Sequence, residues 1–350
     1  MVSFYRLHPL QDPEDLARRL RAAWEPLGVL GRVYVAREGI NAQVSVPDNM
    51  LELFKQTVTA HSELDGVYLN CDEPLSKEYA PFSKLQIKPR KHVLADGLPR
   101  SLDWRENGAK LSPAEWHSKV EQLNKEEEGA KPILIDIRNF YESEVGLFKG
   151  AKALDTVTFR DTWDALKETL KGVSKEKEIL TYCTGGIRCE KANAYIIQEL
   201  GYKNVSALRG GIVNYAQYVK EKHNSSRSQF LGVNHVFDQR LGQRVGEEVL
   251  SRCINCGCSS DVQTDCANTH CPRPFARRRY IQCQECAIRQ DGCCCSECAD
   301  EKKAREQRDE TQRRLEELQV SLRRELRSRK KSKDTAAEAA EEEEQRLAAL

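Results

Sequence analysis

The chain of 350 residues lacks several features that would place a protein in a broad class at once. It has no apolar run of about 18 residues, so we expect no membrane-spanning helix and no membrane partner. Its first residues lack the basic-then-apolar pattern of a secretion signal, so we expect a cytoplasmic protein, or an organellar one if a transit segment is missing. Its 55 Lys and Arg balance 54 Asp and Glu, so net charge predicts no partner.

Cysteine is scarce over most of the chain, and 11 of the 14 cysteines lie between Cys253 and Cys298. Without a secretion signal, this clustering favours structural zinc ligation over disulfides or a redox-active cluster. The tight cysteine runs of ferredoxins are absent, which argues against an iron–sulfur cluster. The predicted ligands of a first zinc site are Cys253, Cys256, Cys283 and Cys286. Those of a second site are Cys266, Cys271, Cys294 and Cys298.

The most informative segment lies at 182–191, between an apolar run that predicts a buried strand and a helical pattern that follows it. Cys183 ends the strand and Arg188 begins the helix. Glycines between them allow successive N–H groups to point inward as an anion nest, and the helix N-terminus adds positive charge. These features lower the pKa of the Cys183 thiol, and the thiolate is the reactive nucleophile. The predicted loop residues between them are Thr184, Gly185, Gly186 and Ile187.

The spacing of this loop is more specific than its composition. Four residues separate Cys183 from Arg188, one fewer than in cysteine phosphatases. This six-residue loop resembles the rhodanese active-site loop, in which the cysteine carries a persulfide. The alternative is a structural cysteine beside a glycine turn. Cys189 could resolve an oxidised Cys183 as a disulfide, or it could simply pack the helix.

The order of predicted elements indicates a multidomain protein of mixed α/β and α+β class. Residues 1–95 follow the order β-α-β-β-α-β of a ferredoxin-like split βαβ domain. Strands alternate with helices over 112–222, which predicts a parallel α/β sheet with its site at the carboxyl ends of the strands. Residues 223–298 form a connector and the cysteine-rich, zinc-type module. Residues 299–350 form a charged tail that is either helical or disordered.

Further motifs resemble a complete rhodanese domain over 112–222. These are Asp136-Ile137-Arg138, Glu142, Gly146, Gly150-Ala151 and Gly210-Gly211. Asp136 could form a turn or orient Arg188, and the resemblance favours orientation. One departure is Leu147, where many rhodaneses have a histidine, which makes the entrance less polar.

The segments that flank this domain resemble a single family. They are Gly31–Ala36, Glu38–Gln43, Ala95–Gly97, Thr158–Arg160 and Phe237-Asp238 with Arg240, together with the cysteine module. The family is the rhodanese-containing tRNA uridine hydroxylases, which make 5-hydroxyuridine at the wobble position with dioxygen as co-substrate. The resemblance covers roughly residues 3–298 and implies that Cys183 is catalytic and able to carry a persulfide.

A tRNA partner directs attention to the basic clusters, although each could be an ordinary solvated face. Glu38 and Asn41 are candidate substrate contacts because their turn shows no structural need for these residues. His235 and His270 are expected at the surface. The predicted tRNA-binding residues are Lys88, Arg90, Lys91, Arg277, Arg278 and Arg279.

Three functions remain open on this evidence. The first is hydroxylation of a tRNA wobble uridine, for which no histidine–carboxylate iron triad is evident. The second is a persulfide-forming sulfurtransferase that takes sulfur from thiosulfate or a donor protein. The third is a non-enzymatic adaptor built on the zinc module and the tail. The flanking domains favour the first, because a simple sulfur carrier needs neither of them.

Overall fold

The computed structural model describes residues 1–72, 81–98, 102–125, 131–222, 228–273 and 279–348, with side chains as far as 327. It divides into two compact units. The first consists of Met1–Thr264 with Arg273–Gln284, and the second of Asp265–Pro272 with Glu285–Leu350. Within the part of the chain that the structure describes, none of the helices combines the length and the apolar composition that a bilayer span requires.

The elements are numbered in chain order. The strands are β1 (Val2–Leu7), β2 (Leu30–Ala36), β3 (Gly39–Ser45), β4 (Asn70–Cys71), β5 (Leu85–Pro89), β6 (Ala109–Leu111), β7 (Ile133–Asp136), β8 (Gly146–Phe148), β9 (Lys152–Ala153), β10 (Ile179–Tyr182), β11 (Val205–Leu208), β12 (Phe230–His235), β13 (Gly242–Arg244), β14 (Gln263–Asp265) and β15 (Arg279–Ile281). The helices are α1 (Pro13–Trp24), α2 (Leu51–Thr59), α3 (Pro113–Leu123), α4 (Phe140–Ser143), α5 (Thr162–Thr169), α6 (Ile187–Gln198), α7 (Gly211–Lys222), α8 (Gln284–Arg289) and α9 (Ser296–Ala348).

The amino-terminal part of the first unit is a five-stranded sheet in the order β4-β1-β3-β2-β5. The first four strands have the ferredoxin-like arrangement, and β5 pairs in parallel with β2 at the edge. Side chains alternate between the two faces of each strand. Phe4 and its neighbours on one face pack with Trp24 of α1 and Phe54 of α2. The side chains on the opposite face, such as Tyr5 and Tyr34, point away from this core and line a cavity.

The next part is an all-parallel sheet in the order β6-β11-β10-β7-β9. Because its strands are parallel, their carboxyl ends meet at one edge, which is where Asp136 and Cys183 lie. β6 lies in the segment 96–111, which separates the two predicted domains and was predicted to belong to neither of them. The boundaries at 95 and 112 stay predictions, since both domains belong to the first unit.

The predicted connector contributes a strand to the core of the first unit. β12 pairs with β8 and β13 in an antiparallel sheet. Phe230 at the start of β12 is fully buried, with its ring centroid 5.2 Å from that of Phe148. Burial of an aromatic ring stabilises a fold by about 1.5–3 kcal/mol. The connector therefore forms part of the hydrophobic core and does not merely link two domains.

The second unit contains cysteines and the charged tail. The tail forms a single helix, α9, through Ala348. Its leucines between 315 and 326 are 50–65% exposed, as expected for a solvated charged helix. The sheets and helices confirm the predicted fold class of α/β and α+β parts: a ferredoxin-like sheet, an all-parallel α/β sheet, a cysteine-rich region and a helical carboxyl terminus.

Candidate active site

The loop after β10 curls around the sulfur of Cys183. The backbone N–H of Gly186 donates a hydrogen bond to Cys183 Sγ over 3.1 Å. Gly186 has a φ of +101°, and a Cβ there would lie 2.9 Å from the hydroxyl oxygen of Tyr5. Only glycine combines this left-handed backbone with the close approach of the tyrosine. The backbone amides of Gly186 and Cys189 are the donors that reach the sulfur, and the anion nest of the whole loop stays a prediction.

The start of α7 holds the loop carbonyls away from the sulfur. Ile212 N donates to Cys183 O over 3.0 Å, and Val213 N donates to Thr184 O over 3.1 Å. Gly211 has a φ of +68°, and a Cβ there would lie 2.5 Å from Thr184 O. Paired carbonyls on the outside leave the amide side of the loop to face the sulfur.

The electrostatic balance favours a thiolate at Cys183. Burial raises its pKa, but hydrogen bonds from Cys189, the charge of Arg188 and the Gly186 amide outweigh burial and lower the pKa to about 6. Cys189 has the opposite environment, since burial and the neighbouring Cys183 raise its pKa well above its ordinary value. Cys189 therefore keeps its proton and donates it as a hydrogen bond. Its role as a resolving thiol stays a prediction.

Arg188 is oriented by Glu142 of α4. Its Nη1 lies 2.6 Å from Glu142 Oε1 and its Nη2 lies 2.7 Å from Oε2, and Nη2 also donates to Thr184 Oγ1 over 3.0 Å. Burial raises the pKa of Glu142, but the adjacent Arg188 guanidinium has the larger, opposite effect and lowers the pKa to about 2. The pair is fully ionised at neutral pH and fixes the guanidinium against the loop.

The prediction that Asp136 orients Arg188 is wrong. Asp136 accepts a hydrogen bond from Tyr182 over 2.8 Å, and it binds the guanidinium of Arg138 with its closest contact at 2.6 Å. Because Tyr182 and Arg138 already bind the carboxylate of Asp136, this residue stabilises the carboxyl ends of β7 and β10 instead of orienting Arg188. A signal for Glu142 existed in the chain, since Glu142 lies three residues after Asn139 and accepts its backbone N–H over 3.1 Å.

Cys183 and Arg188 line one end of a cavity of about 310 Å³. Cys183 itself has no surface exposed to bulk solvent, so the cavity is its route to a ligand. The opposite wall is the free face of the amino-terminal sheet, with the alternating side chains Tyr5, Arg32, Tyr34, Asn41 and Gln43. Residues 236–240 supply a third wall, where the ring of Phe237 lies 5.5 Å from the Arg188 guanidinium carbon.

A buried ionic cluster joins the two sheets beside this cavity. Lys191 of α6 has no exposed surface, and its Nζ lies 2.8 and 2.9 Å from the carboxylate oxygens of Glu38 and also contacts Asp96. Glu38 additionally accepts the backbone N–H of Val93 over 2.7 Å. Glu38 is therefore a structural residue with a clear need for its carboxylate, whereas Asn41 does line the cavity.

The predicted tRNA-binding residues fall into two groups. Lys88, Arg90 and Lys91 are exposed at the end of β5, and the Arg90 guanidinium carbon lies 5.8 Å from the ring of Tyr34 in the cavity wall. Arg279 is half-buried, and Arg277 and Arg278 lie outside the described residues. Their role in tRNA binding stays a prediction.

Of the two histidines expected at the surface, His270 is exposed. His235 is fully buried, so that expectation is wrong. Its Nδ1 lies 2.7 Å from Gln263 Oε1 and its Nε2 lies 3.2 Å from Arg279 Nη1. Both ring nitrogens thus have polar partners inside the protein, which is what burial of an imidazole requires.

The predicted zinc ligands cluster in space. In the second unit, the sulfur atoms of Cys266, Cys271, Cys294 and Cys298 all lie within 4.8 Å of one another, and all four residues are buried. In the first unit, the sulfur atoms of Cys253, Cys256 and Cys283 also lie within 4.8 Å of one another, but only Cys253 of these three residues is buried. Cys286, the fourth predicted ligand of that set, belongs to the second unit, and its part stays a prediction.

Comparisons with known proteins agree with this architecture. Three family models match in succession: an acylphosphatase-like domain of the UPF0176 type at residues 1–93, a rhodanese-like domain at 119–218 and a rhodanese carboxyl-terminal region at 231–299. Curated relatives named tRNA uridine(34) hydroxylase match most of the chain. The relative from Pectobacterium carotovorum (strain PC1) is 39% identical over 86% of this chain and 81% of its own length.

Two further relatives carry the same name. The protein from Leptospira interrogans (strain 56601) is 39% identical over 85% of this chain and 76% of its own length. The protein from Yersinia enterocolitica (strain 8081) is 40% identical over 86% of this chain and 82% of its own length. The chain belongs to the tRNA uridine(34) hydroxylase family. The family resemblance seen in the sequence is thereby confirmed.

Proposed function

We propose that this protein hydroxylates C5 of the wobble uridine of tRNA, with dioxygen as co-substrate and Cys183 as the nucleophile. The observation that carries the proposal is the cavity in front of Cys183, because two of its walls come from outside the rhodanese-like domain. A volume of about 310 Å³ lies at the lower end of the range for small-molecule sites. The names of the relatives supply the substrate and the reaction class.

The base reaches the thiolate only if the nucleotide leaves its stack in the anticodon loop and enters the cavity, as enzymes that modify bases require. Aromatic side chains of the wall, Tyr34 and Phe237, can stack on the base. The amides of Asn41 and Gln43 can hydrogen-bond to its polar edge. These four side chains would select uracil over the other bases.

The chemistry starts with attack of the Cys183 thiolate on C6 of uracil. The new S–C6 bond displaces the ring π electrons towards C5 and O4, and the donors of the loop and cavity stabilise this charge. Dioxygen then adds at C5 and takes up one proton, which gives a hydroperoxide. A thiol reductant supplies two electrons and two protons and becomes a disulfide, which cleaves the O–O bond, leaves a hydroxyl group on C5 and releases the second oxygen atom as water. Loss of the C5 proton and cleavage of the S–C6 bond then regenerate the thiolate.

We also infer that the second unit holds a structural zinc ion at Cys266, Cys271, Cys294 and Cys298. Four buried sulfur atoms within 4.8 Å of one another fit a closed tetrahedral thiolate site. The segment around them has few large apolar residues, so a metal would supply stability that a core does not. The ion would act on the fold and take no part in the reaction at Cys183.

The function is tested by complementation. In cells that lack their own enzyme and tRNA 5-hydroxyuridine, the wild-type chain should restore the modified nucleoside, measured by mass spectrometry. Cys183→Ser should restore none, and Cys71→Ser, which changes a cysteine outside the cavity, should behave as wild type. Normal 5-hydroxyuridine with Cys183→Ser would overturn the proposal. Robust thiosulfate-to-cyanide sulfur transfer with unaltered tRNA would favour the sulfurtransferase instead.

A further inference from the structure

A second opening lies beside the catalytic cavity, on the other side of Tyr5. This crevice has a volume of about 500 Å³ and lies between the amino-terminal sheet and the parallel sheet. Tyr5 and Asn70 line both openings. The Tyr5 hydroxyl donates to Glu190 over 2.7 Å, which fixes the ring as the partition between them. The crevice and the cavity are therefore neighbouring openings that share two lining residues.

Basic side chains outnumber acidic ones in this crevice. Arg6, Arg105, Lys110 and Arg209 line it, against the single carboxylate of Glu190. Lys110 Nζ lies 2.7 Å from Glu190, and Arg105 pairs with Asp103 over 2.7 Å. Within the described residues, no carboxylate lies at ion-pair distance from Arg6 or Arg209. An excess of positive charge held in a groove favours a phosphate ligand.

Aromatic side chains accompany these cations. Tyr68 is 53% exposed, and its hydroxyl donates to Asn214 Oδ1 over 3.1 Å. Trp104 lines the same crevice and is half-buried, with Lys191 Nζ 4.8 Å from its ring. An exposed ring of fixed orientation among cations is the arrangement with which proteins bind unstacked nucleotides. A free inorganic anion would need the cations but not the rings.

We propose that this crevice binds the nucleotide that flanks the target uridine, with its phosphate on Arg209 and its base on Tyr68. The inference rests on the proposed function and adds the RNA contact that presents the uridine. Binding of the flanking nucleotide stabilises an anticodon loop in which one base has left the stack. Arg209 and Tyr68 are thus positioning residues for tRNA, and neither touches the reacting atoms.

The test measures the dissociation constant of full-length protein with unmodified tRNA over a series of salt concentrations. Arg209→Ala should weaken binding on the order of tenfold at low salt and reduce the slope of log K against log salt by about 1. Arg209→Lys should retain the slope. Tyr68→Ala should weaken binding by at least about fivefold, whereas Tyr68→Phe, which keeps the ring but loses its hydrogen bond to Asn214, should weaken binding less.

Arg18→Ala is the matched control, because it removes an arginine that is 76% exposed on α1 and outside the crevice. If Arg209→Ala and Tyr68→Ala bind tRNA like Arg18→Ala, with the wild-type slope, the crevice proposal is overturned while wild-type hydroxylation still supports the proposed function. Failure of the wild type to form 5-hydroxyuridine would overturn the function itself. The two failures are therefore distinguishable in one set of proteins.

Discussion

Arg188 and Glu142 form a buried two-point ion pair, with nitrogen–oxygen distances of 2.6 and 2.7 Å, directly behind the catalytic loop. The planar guanidinium and the planar carboxylate match, which fixes the orientation of the arginine as well as its charge. Arg188 lowers the pKa of Cys183 only as long as it is held in this place. Glu142 is therefore a positioning residue for the thiolate.

Replacement of Glu142 by Gln should destabilise the protein by about 3–5 kcal/mol, because it leaves a buried guanidinium without its counter-charge. Urea unfolding of the wild type and the variant measures this difference. The control is Glu168→Gln, which removes the exposed partner of Lys171. An exposed pair contributes about 0–1 kcal/mol. Equal losses in the two variants would contradict the assigned role of Glu142.

The same pair predicts how stability depends on pH. The pKa of Glu142 is lowered from 4.5 to about 2 in the folded protein, since the attraction of Arg188 outweighs burial. A lowered carboxyl pKa contributes stability that is fully present above the unfolded value and is lost as pH falls through the folded value. The difference in the free energy of unfolding between the wild type and Glu142→Gln should therefore decrease as the pH falls from about 4.5 towards 2. A difference that is constant over this range would sink the prediction.

Alkylation of Cys183 by iodoacetamide should follow a titration with a midpoint near pH 6, because the thiolate is the reactive form and the pKa of this thiol is about 6. Cys189→Ala removes a hydrogen-bond donor to the thiolate while burial remains, so the midpoint should move upwards. Peptide mass spectrometry at each pH measures it. In Cys71→Ala the midpoint should not move. An unchanged midpoint in Cys189→Ala would show that the neighbouring thiol does not stabilise Cys183.

The catalytic loop could be predicted from the sequence because the interactions that form it are local. Cys183, Gly186 and Arg188 lie within six residues, and strand, turn and helix signals flank them. The amino-terminal topology was equally accessible from the alternation of strands and helices. In both cases a short-range pattern leaves few alternatives for the backbone.

The partners across the fold were not accessible in this way. Asp136 and Glu142 are both acidic and close to the strand end, and only the folded geometry shows which of them meets Arg188. Glu38 looked free of structural need because its partner, Lys191, lies 153 residues further along the chain. His235 looked like a surface residue because its partner Gln263 belongs to a later strand. Long-range pairings of polar side chains leave no periodic signal.

Lys191→Met should destabilise the protein by about 3–5 kcal/mol, because two carboxylates, Glu38 and Asp96, lose their common cation in a buried site. Lys203→Met is the matched control, since Lys203 is 70% exposed and pairs with Glu176 at the surface. The cluster joins the turn of the amino-terminal sheet to α6, so the variant should also raise KM for tRNA. If Lys191→Met had the free energy of unfolding and the KM for tRNA of the wild type, this account would be contradicted.

The cysteine cluster of the second unit predicts a measurable metal content. Protein purified under reducing conditions should contain zinc, and Cys294→Ser should contain one zinc ion per chain fewer, because three thiolates no longer close a structural site. Cys71→Ser should retain the wild-type content. Elemental analysis measures the metal, and thiol titration before and after chelation reports the released cysteines. If protein purified without a reductant held no zinc, and its cysteines reacted with thiol reagents only after reduction, disulfides would have to replace the metal in this account.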